Sequence, residues 1–93
     1  MNAELDKLTD LVATELERLE TVERCNETLV TLRQSESSEE IIAWHEKTLE
    51  MCNELYAQAS TRRKSVQAAM LLMGLMDEDM DARINEGFAD ISK

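Results

Sequence analysis

One periodic stripe of residues constrains this chain more than any other feature of its sequence. Between residues 42 and 73, the positions that would share a helix face recur at strictly alternating steps of three and four. They are Ile42, His45, Leu49, Cys52, Tyr56, Ala59, Arg63, Val66, Met70 and Met73. Such a stripe is the primary signal of an amphipathic helix, and a period of about 3.5 residues indicates gentle left-handed supercoiling. The pattern therefore predicts a long helix that packs against another helix along most of its length.

A second long helix is predicted between residues 3 and 34. Its apolar residues keep a similar spacing, with Glu15 and Asn26 as the polar exceptions. The stripe consists of Leu5, Leu8, Val12, Leu19, Val22 and Leu29, and it is widened by Leu11, Leu16 and Leu32. A stripe of this width suits a helical bundle better than a two-stranded coiled coil.

Two interruptions divide the chain. The segment from Ser35 to Glu40 breaks the apolar pattern, and Ser37, three residues before Glu40, matches a capping box at the start of the long helix. So short a connection favours antiparallel neighbours. Near Gly74 the sequence allows a break or one continuous helix. We favour the break, followed by a short helix that Asp77 caps.

The composition favours an all-α fold. The 93 residues include no proline and two glycines, and 3% are aromatic, while the strong helix formers Leu, Glu, Ala and Met dominate. We predict a single domain, 1–93, built as an elongated antiparallel helical hairpin with a short C-terminal helix. The predicted elements are a helix over 3–34, a turn over 35–38, a long helix over 39–73, a break or kink near 74–77 and a short helix over 78–91. Because the third helix covers only part of the hairpin, we expect a homodimer or a helical bundle with a partner.

Charge and composition argue against several classes of function. The formal net charge is −10, from 20 acidic and 10 basic residues, and it opposes binding to nucleic acid. The N-terminus lacks the pattern of a signal peptide, and the longest apolar run, Ala68 to Met76, is about half a membrane span. No glycine-rich phosphate loop, catalytic triad pattern or paired histidine ligands occur. We therefore expect neither an enzyme nor a bound cofactor, and no membrane association.

The two cysteines, Cys25 and Cys52, lack the paired spacing of a metal or redox motif. In a hairpin centred near residue 36 or 37, Cys25 would face Leu49, and the two cysteines would lie too far apart for an easy disulfide. We expect reduced thiols, no metal site and a cytoplasmic protein.

The predicted function is protein–protein interaction, as a non-enzymatic subunit or adaptor in a larger assembly. Methionine is flexible and polarisable, so a Met-rich surface can adapt to varied partners. The candidate interaction residues are Met70, Leu72, Met73, Met76 and Met80, for which plain core packing is the alternative role. Trp44 lies off the main stripe, and it either staples the end of the hairpin or anchors an interface. Two other functions stay open: a small acidic chaperone of the secretion type, holding an amphipathic partner segment, and an acidic inhibitor that mimics nucleic acid.

Three polar residues are candidates for fixing how the two long helices align. Asn26 and Arg63 interrupt the two apolar stripes, and a polar residue at such a position can set register or oligomeric state at a cost in stability. Arg63 could reach an inward carboxylate on the facing helix, such as Glu15. We predict that this contact sets the register.

Overall fold

The structure is a computed structural model that describes residues 3–91, and it contains three α-helices and no strand within that range. Helix α1 spans Ala3–Gln34, α2 spans Glu39–Leu72 and α3 spans Glu78–Ile91. Helices α1 and α2 form an antiparallel hairpin, and α3 follows as a short third helix packed against α2. The molecule measures 54 × 20 × 19 Å. The predicted all-α hairpin with a short C-terminal helix is thus confirmed.

The turn between α1 and α2 differs from the predicted capping box by one residue. Glu36 adopts a left-handed conformation with φ of 55°, and the N–H of Ser37 donates to the carbonyl of Leu32 at 3.1 Å. These features close α1. The N-cap of α2 is Ser38, whose hydroxyl accepts from the N–H of Ile41 at 3.3 Å. Ser37 is not the cap, because its backbone is already engaged in ending α1.

The long helix ends at Leu72, one residue before its predicted end. Gly74 has φ of +73°, a left-handed conformation that glycine adopts at low cost. The N–H groups of Gly74 and Leu75 donate to the carbonyls of Leu71 and Met70, at 3.2 and 2.9 Å. This pair of bonds is a Schellman motif, which terminates a helix. The favoured break at Gly74 is therefore confirmed.

Helix α3 begins after its predicted cap. A carboxylate oxygen of Asp77 accepts from the N–H of Met80 at 2.8 Å. The acidic first turn suits the positive end of the helix dipole. Phe88 is buried and Ile84 is half-buried, so this amphipathic helix lays its apolar side on the hairpin.

The hydrophobic core lies at the end of the rod away from the α1–α2 turn. Leu8, Met70 and Met76 form its buried centre. Around them pack Leu5, Val12, Val66, Leu75 and Ile84. Towards the turn only α1 and α2 remain, and Leu19, Val22 and Leu29 are buried between them. The three-helix end is thus a small globular core, and the rest of the molecule is a two-helix rod.

Candidate functional site

A buried ion pair joins α1 to α2. The side chains of Arg63 and Glu15 are 2% and 1% exposed. Arg63 donates from Nε to Oε1 of Glu15 at 2.7 Å and from Nη2 to Oε2 at 3.1 Å. Two parallel bonds of this kind fix both groups in one orientation. The predicted contact between these residues is confirmed, and its control of the register stays a prediction.

Helix α3 and the next turn of α2 complete the cluster around Arg63. Its Nη1 donates to Gln67 at 2.9 Å and to Asn85 at 3.3 Å. The guanidinium carbon lies 4.2 Å from the ring centre of Phe88, within cation–π range. Gln67 also donates to a carboxylate oxygen of Asp81 at 2.6 Å. The cluster therefore ties all three helices together.

This polar cluster is satisfied from within. Among residues 3–91, every buried side-chain nitrogen or oxygen has a hydrogen-bond partner. The open groove of about 550 Å³ beside the cluster, between α2 and α3, thus has no unpaired buried group aimed into it. Gln67 was missed in the sequence, where its spacing of four residues from Arg63 is the available signal. We assign the cluster to holding the helices in place.

The two cysteines lie together, and the prediction that they are far apart is wrong. Their Sγ atoms are 3.6 Å apart, in contact but beyond the bond length of a disulfide. Cys25 faces Cys52 rather than Leu49, about one helical turn further along α2. The reason is the turn: the hairpin is centred near residue 39 instead of 36 or 37. Burial raises the pKa of the Cys25 thiol above its ordinary value, and the hydrogen bond and charge of Cys52 raise it further.

The methionine-rich set does not form one continuous surface. Met70 and Met76 are 3% and 6% exposed and belong to the core, so they are unavailable to a partner. Leu72, Met73 and Met80 are exposed. The break after Leu72 divides the set, because it turns the chain and directs Met76 inward. The prediction of one interaction surface that uses all five residues is therefore wrong. Met70 and Met76 instead have the alternative role, packing in the core.

Asn26 does not lie in the interface between α1 and α2. Its side chain is exposed, whereas the adjacent Cys25 is half-buried and contacts Cys52. The α1 stripe thus shifts by one residue here and brings the cysteine inward. The placement of Asn26 as a polar interruption of the packed seam is wrong.

One face of the hairpin carries no carboxylate. On α2 it is a row at alternating steps of three and four residues, comprising Ile41, Trp44, Thr48, Met51, Leu55, Gln58, Arg62, Ser65, Ala69 and Leu72. On α1 the matching row comprises Lys7, Leu11, Thr14, Arg18, Thr21, Cys25, Thr28 and Leu32. Helices α1 and α2 contain 13 acidic residues, and none falls in either row. We call these two rows the carboxylate-free face.

The carboxylate-free face lies on the side of the hairpin away from α3. A groove of about 400 Å³ between the two rows is lined by Leu11 and Arg18 of α1 and by Leu55 and Arg62 of α2, among others. No α3 residue lines it, and its lining residues include one carboxylate, that of Asp10, which belongs to neither row. The grooves that α3 lines involve different residues of the hairpin. Within residues 3–91, the chain therefore leaves this face uncovered.

Large apolar side chains stand out from this face. Trp44 is 64% exposed and Met51 is 63% exposed. Ile41, Leu55 and Leu72 are exposed in the same row. Trp44 meets the ring of His45 edge-on, with centroids 5.1 Å apart, and it does not staple the hairpin shut. Only Trp44 and Leu72 were singled out in the sequence. The signal for the others is the second alternating row, offset by one residue from the main stripe.

Four threonine hydroxyls of the face are hydrogen-bonded within their own helices, as are those of Thr9 and Thr31 outside the face. The hydroxyls of Thr14, Thr21, Thr28 and Thr48 each donate to the backbone carbonyl four residues earlier, at 2.9 or 3.0 Å. A buried hydroxyl without a hydrogen-bond partner is costly. Because these donors are already used, an apolar surface can cover the face without leaving them unpaired.

Comparison of this chain with protein-family models, with curated protein sequences and with solved structures found no match. Within residues 3–91, no helix combines the length and the apolar character needed to cross a membrane. The class is that of an all-α hairpin with a short third helix.

Proposed function

We propose that this protein is a non-enzymatic interaction subunit that binds a helical protein surface through the carboxylate-free face. The observation that carries the proposal is the row of exposed apolar side chains on a face without carboxylates, in a chain of net charge −10. Exposed apolar surface bordered by polar residues commonly marks a protein-binding site.

The shape of the face supports a helix as the bound element. The face consists of two parallel rows of side chains with a groove between them. A helix can pack its side-chain ridge into such a groove, because its contacting side chains recur every three or four residues. Trp44 and Met51 are the side chains best suited as anchors, since large aromatic and flexible thioether groups bury much area. Leu72 and Met73, at the far end of the rod, offer a smaller additional contact.

The proposal includes a cytoplasmic location, where a reducing environment would keep the adjacent thiols of Cys25 and Cys52 from forming a disulfide. A chaperone that holds an amphipathic segment would use the same face. An acidic mimic of nucleic acid would instead depend on carboxylates elsewhere on the surface.

The test is affinity capture with the wild type, with Met51→Glu and with Asn53→Glu as the matched control. Both substitutions add one charge to an exposed position of α2, but Asn53 lies outside the two rows, on the opposite side of α2 from Met51. We expect bound proteins, including further copies of this chain, to be lost with Met51→Glu and retained with the control.

Circular dichroism should show the helical spectrum of the wild type for both variants, as a check that each is folded. Capture that is unchanged by Met51→Glu contradicts the proposal. Capture that instead weakens steeply with salt, and with removal of the carboxylates of Glu46 and Glu50, favours the mimic.

A further inference from the structure

We propose that the carboxylate-free face binds a second copy of this chain in antiparallel orientation, with the two-fold axis passing beside Met51. This inference rests on the proposed function and names the partner of the same face. Three features of the face, each placed symmetrically about Met51, support it.

The first feature is a projecting side chain matched to a groove. Trp44 lies seven residues before Met51, and Gln58 lies seven residues after it. A two-fold axis at Met51 therefore places Trp44 of one copy opposite Gln58 of the other. Gln58 is in the middle of the 400 Å³ groove, whose walls include Leu11 and Leu55. The exposed indole thus meets the concave part of the same face.

The groove also offers charge to the indole. Arg18 and Arg62 line it on opposite helices. A guanidinium over the face of a tryptophan ring is favourable by about 0.5–2 kcal/mol, depending on burial. Because of the two-fold symmetry, this contact between tryptophan and arginine occurs twice, once at each end of the dimer.

The second feature is the charge at the two ends of the overlap. Glu40 lies eleven residues before Met51, and Arg62 lies eleven residues after it. The axis therefore places these two residues opposite each other at both ends. Within one copy they are about 33 Å apart along α2, so they cannot pair there. Glu36 and Glu39 make the turn end acidic as well. A parallel dimer would bring like charges together.

The third feature is the size of the overlap. The two-fold axis places residues 39 to 63 of α2 in one copy opposite the same range, in reverse order, in the other. This range is about 36 Å long at 1.5 Å per residue. With the 20 Å width of the molecule, each copy buries about 700 Å², or about 1,400 Å² in total, which is typical of specific complexes. The product is a four-helix bundle over the part of the rod that α3 leaves uncovered.

The first experiment measures mass in solution by light scattering coupled to size-exclusion chromatography. We expect the wild type at twice the monomer mass of 10.6 kDa. Met51→Glu places two carboxylates against each other at the axis, and we expect a monomer. Asn53→Glu, a matched control at an exposed position two residues from Met51 and therefore on the opposite side of α2, should stay dimeric.

The second experiment tests the orientation by reversing charges. We expect Glu40→Arg alone and Arg62→Glu alone each to weaken self-association by about tenfold, since each creates two like-charge contacts per dimer. Mixing the two variants in equal amounts creates two opposite-charge contacts. We therefore expect the mixture to form heterodimers more tightly than either variant forms homodimers.

Each result decides between the possibilities. A wild type that is monomeric at hundreds of micromolar overturns the dimer, and the proposed function then stands or falls by capture of a different protein. A dimer that survives Met51→Glu overturns the inference, because association then uses another surface. A mixture no tighter than the single variants overturns the antiparallel arrangement.

Discussion

Replacing one residue of the buried Arg63–Glu15 pair by an apolar residue should destabilise this protein more than replacing both. In Arg63→Met, the carboxylate of Glu15 stays in a site where its side chain is 1% exposed, without the two bonds at 2.7 and 3.1 Å that compensate its charge. The variant also loses the bonds from Arg63 to Gln67 and Asn85. These variants are compared in the Met51→Glu background, because that substitution removes any contribution of dimerisation to the measured stability.

The expected loss of unfolding free energy follows from the burial of the ion pair. Breaking a buried ion pair from one side costs about 3–5 kcal/mol, because an uncompensated charge stays inside. A domain of 93 residues has a total stability of about 5–14 kcal/mol, at 0.05–0.15 kcal/mol per residue. Arg63→Met therefore removes a large share of the total. Glu15→Leu, which leaves the guanidinium unpaired, should cost a similar amount.

The double variant with Arg63→Met and Glu15→Leu replaces the pair by apolar side chains. Such replacements are often neutral or stabilising, so we expect a net cost below about 2 kcal/mol. The coupling between the two positions should then be at least about 4 kcal/mol in a double-mutant cycle.

The assay is urea unfolding followed by far-ultraviolet circular dichroism, with the free energy of unfolding extrapolated to water. Single variants that each cost less than about 1 kcal/mol would refute the reasoning. So would a double variant whose cost equals the sum of the single costs, since the two charges would then not depend on each other.

Three further predictions concern the turns and the thiols. Gly74→Ala should cost about 1–2 kcal/mol of unfolding free energy, because φ of +73° is unfavourable for alanine although open space surrounds the site. Ser38→Ala should cost about 1 kcal/mol in the same urea assay, since it removes the cap bond to Ile41. Alkylation of Cys25 by iodoacetamide, followed by mass spectrometry, should need a higher pH than for a free cysteine, because its pKa is raised above the ordinary value. Cys52→Ala should lower that pH, since it removes two of the three causes of the shift.

Neighbouring variants provide the controls. Gly74→Asn should cost less than Gly74→Ala, because asparagine tolerates the left-handed conformation better. Ser37→Ala should cost little beside Ser38→Ala, since Ser37 is not the cap. Equal costs within either pair contradict the assigned turn geometry. A pH dependence of Cys25 alkylation that matches a free cysteine contradicts the contact with Cys52.

Much of the fold could be predicted because it depends on local periodicity. The alternating stripes of α1 and α2 specify which side of each helix is buried, whatever the helix packs against. Gly74 marked the break because a left-handed residue at a helix end favours glycine. The Arg63–Glu15 contact was predictable for a similar reason, since two polar residues on facing apolar stripes need each other when buried.

The candidate site was only partly predictable. Trp44 and Leu72 were identified in the sequence. Met51 and Leu55 become candidate site residues only once it is known which side of the hairpin α3 leaves open. The burial of Met76 depends on the direction that the chain takes after Gly74. These outcomes rest on the placement of α3, which no local pattern specifies.

The sequence by itself determined that this chain forms two long helices, a short third one and a packed stripe interrupted by a charged pair. Those features follow from side-chain spacing within single helices. Only the tertiary structure decided the register between the helices, in which Glu36 is left-handed and Ser38 caps α2. That register brings Cys25 against Cys52, because a shift of one helical turn changes every facing pair. The placement of α3 on one side then leaves the carboxylate-free face open on the other.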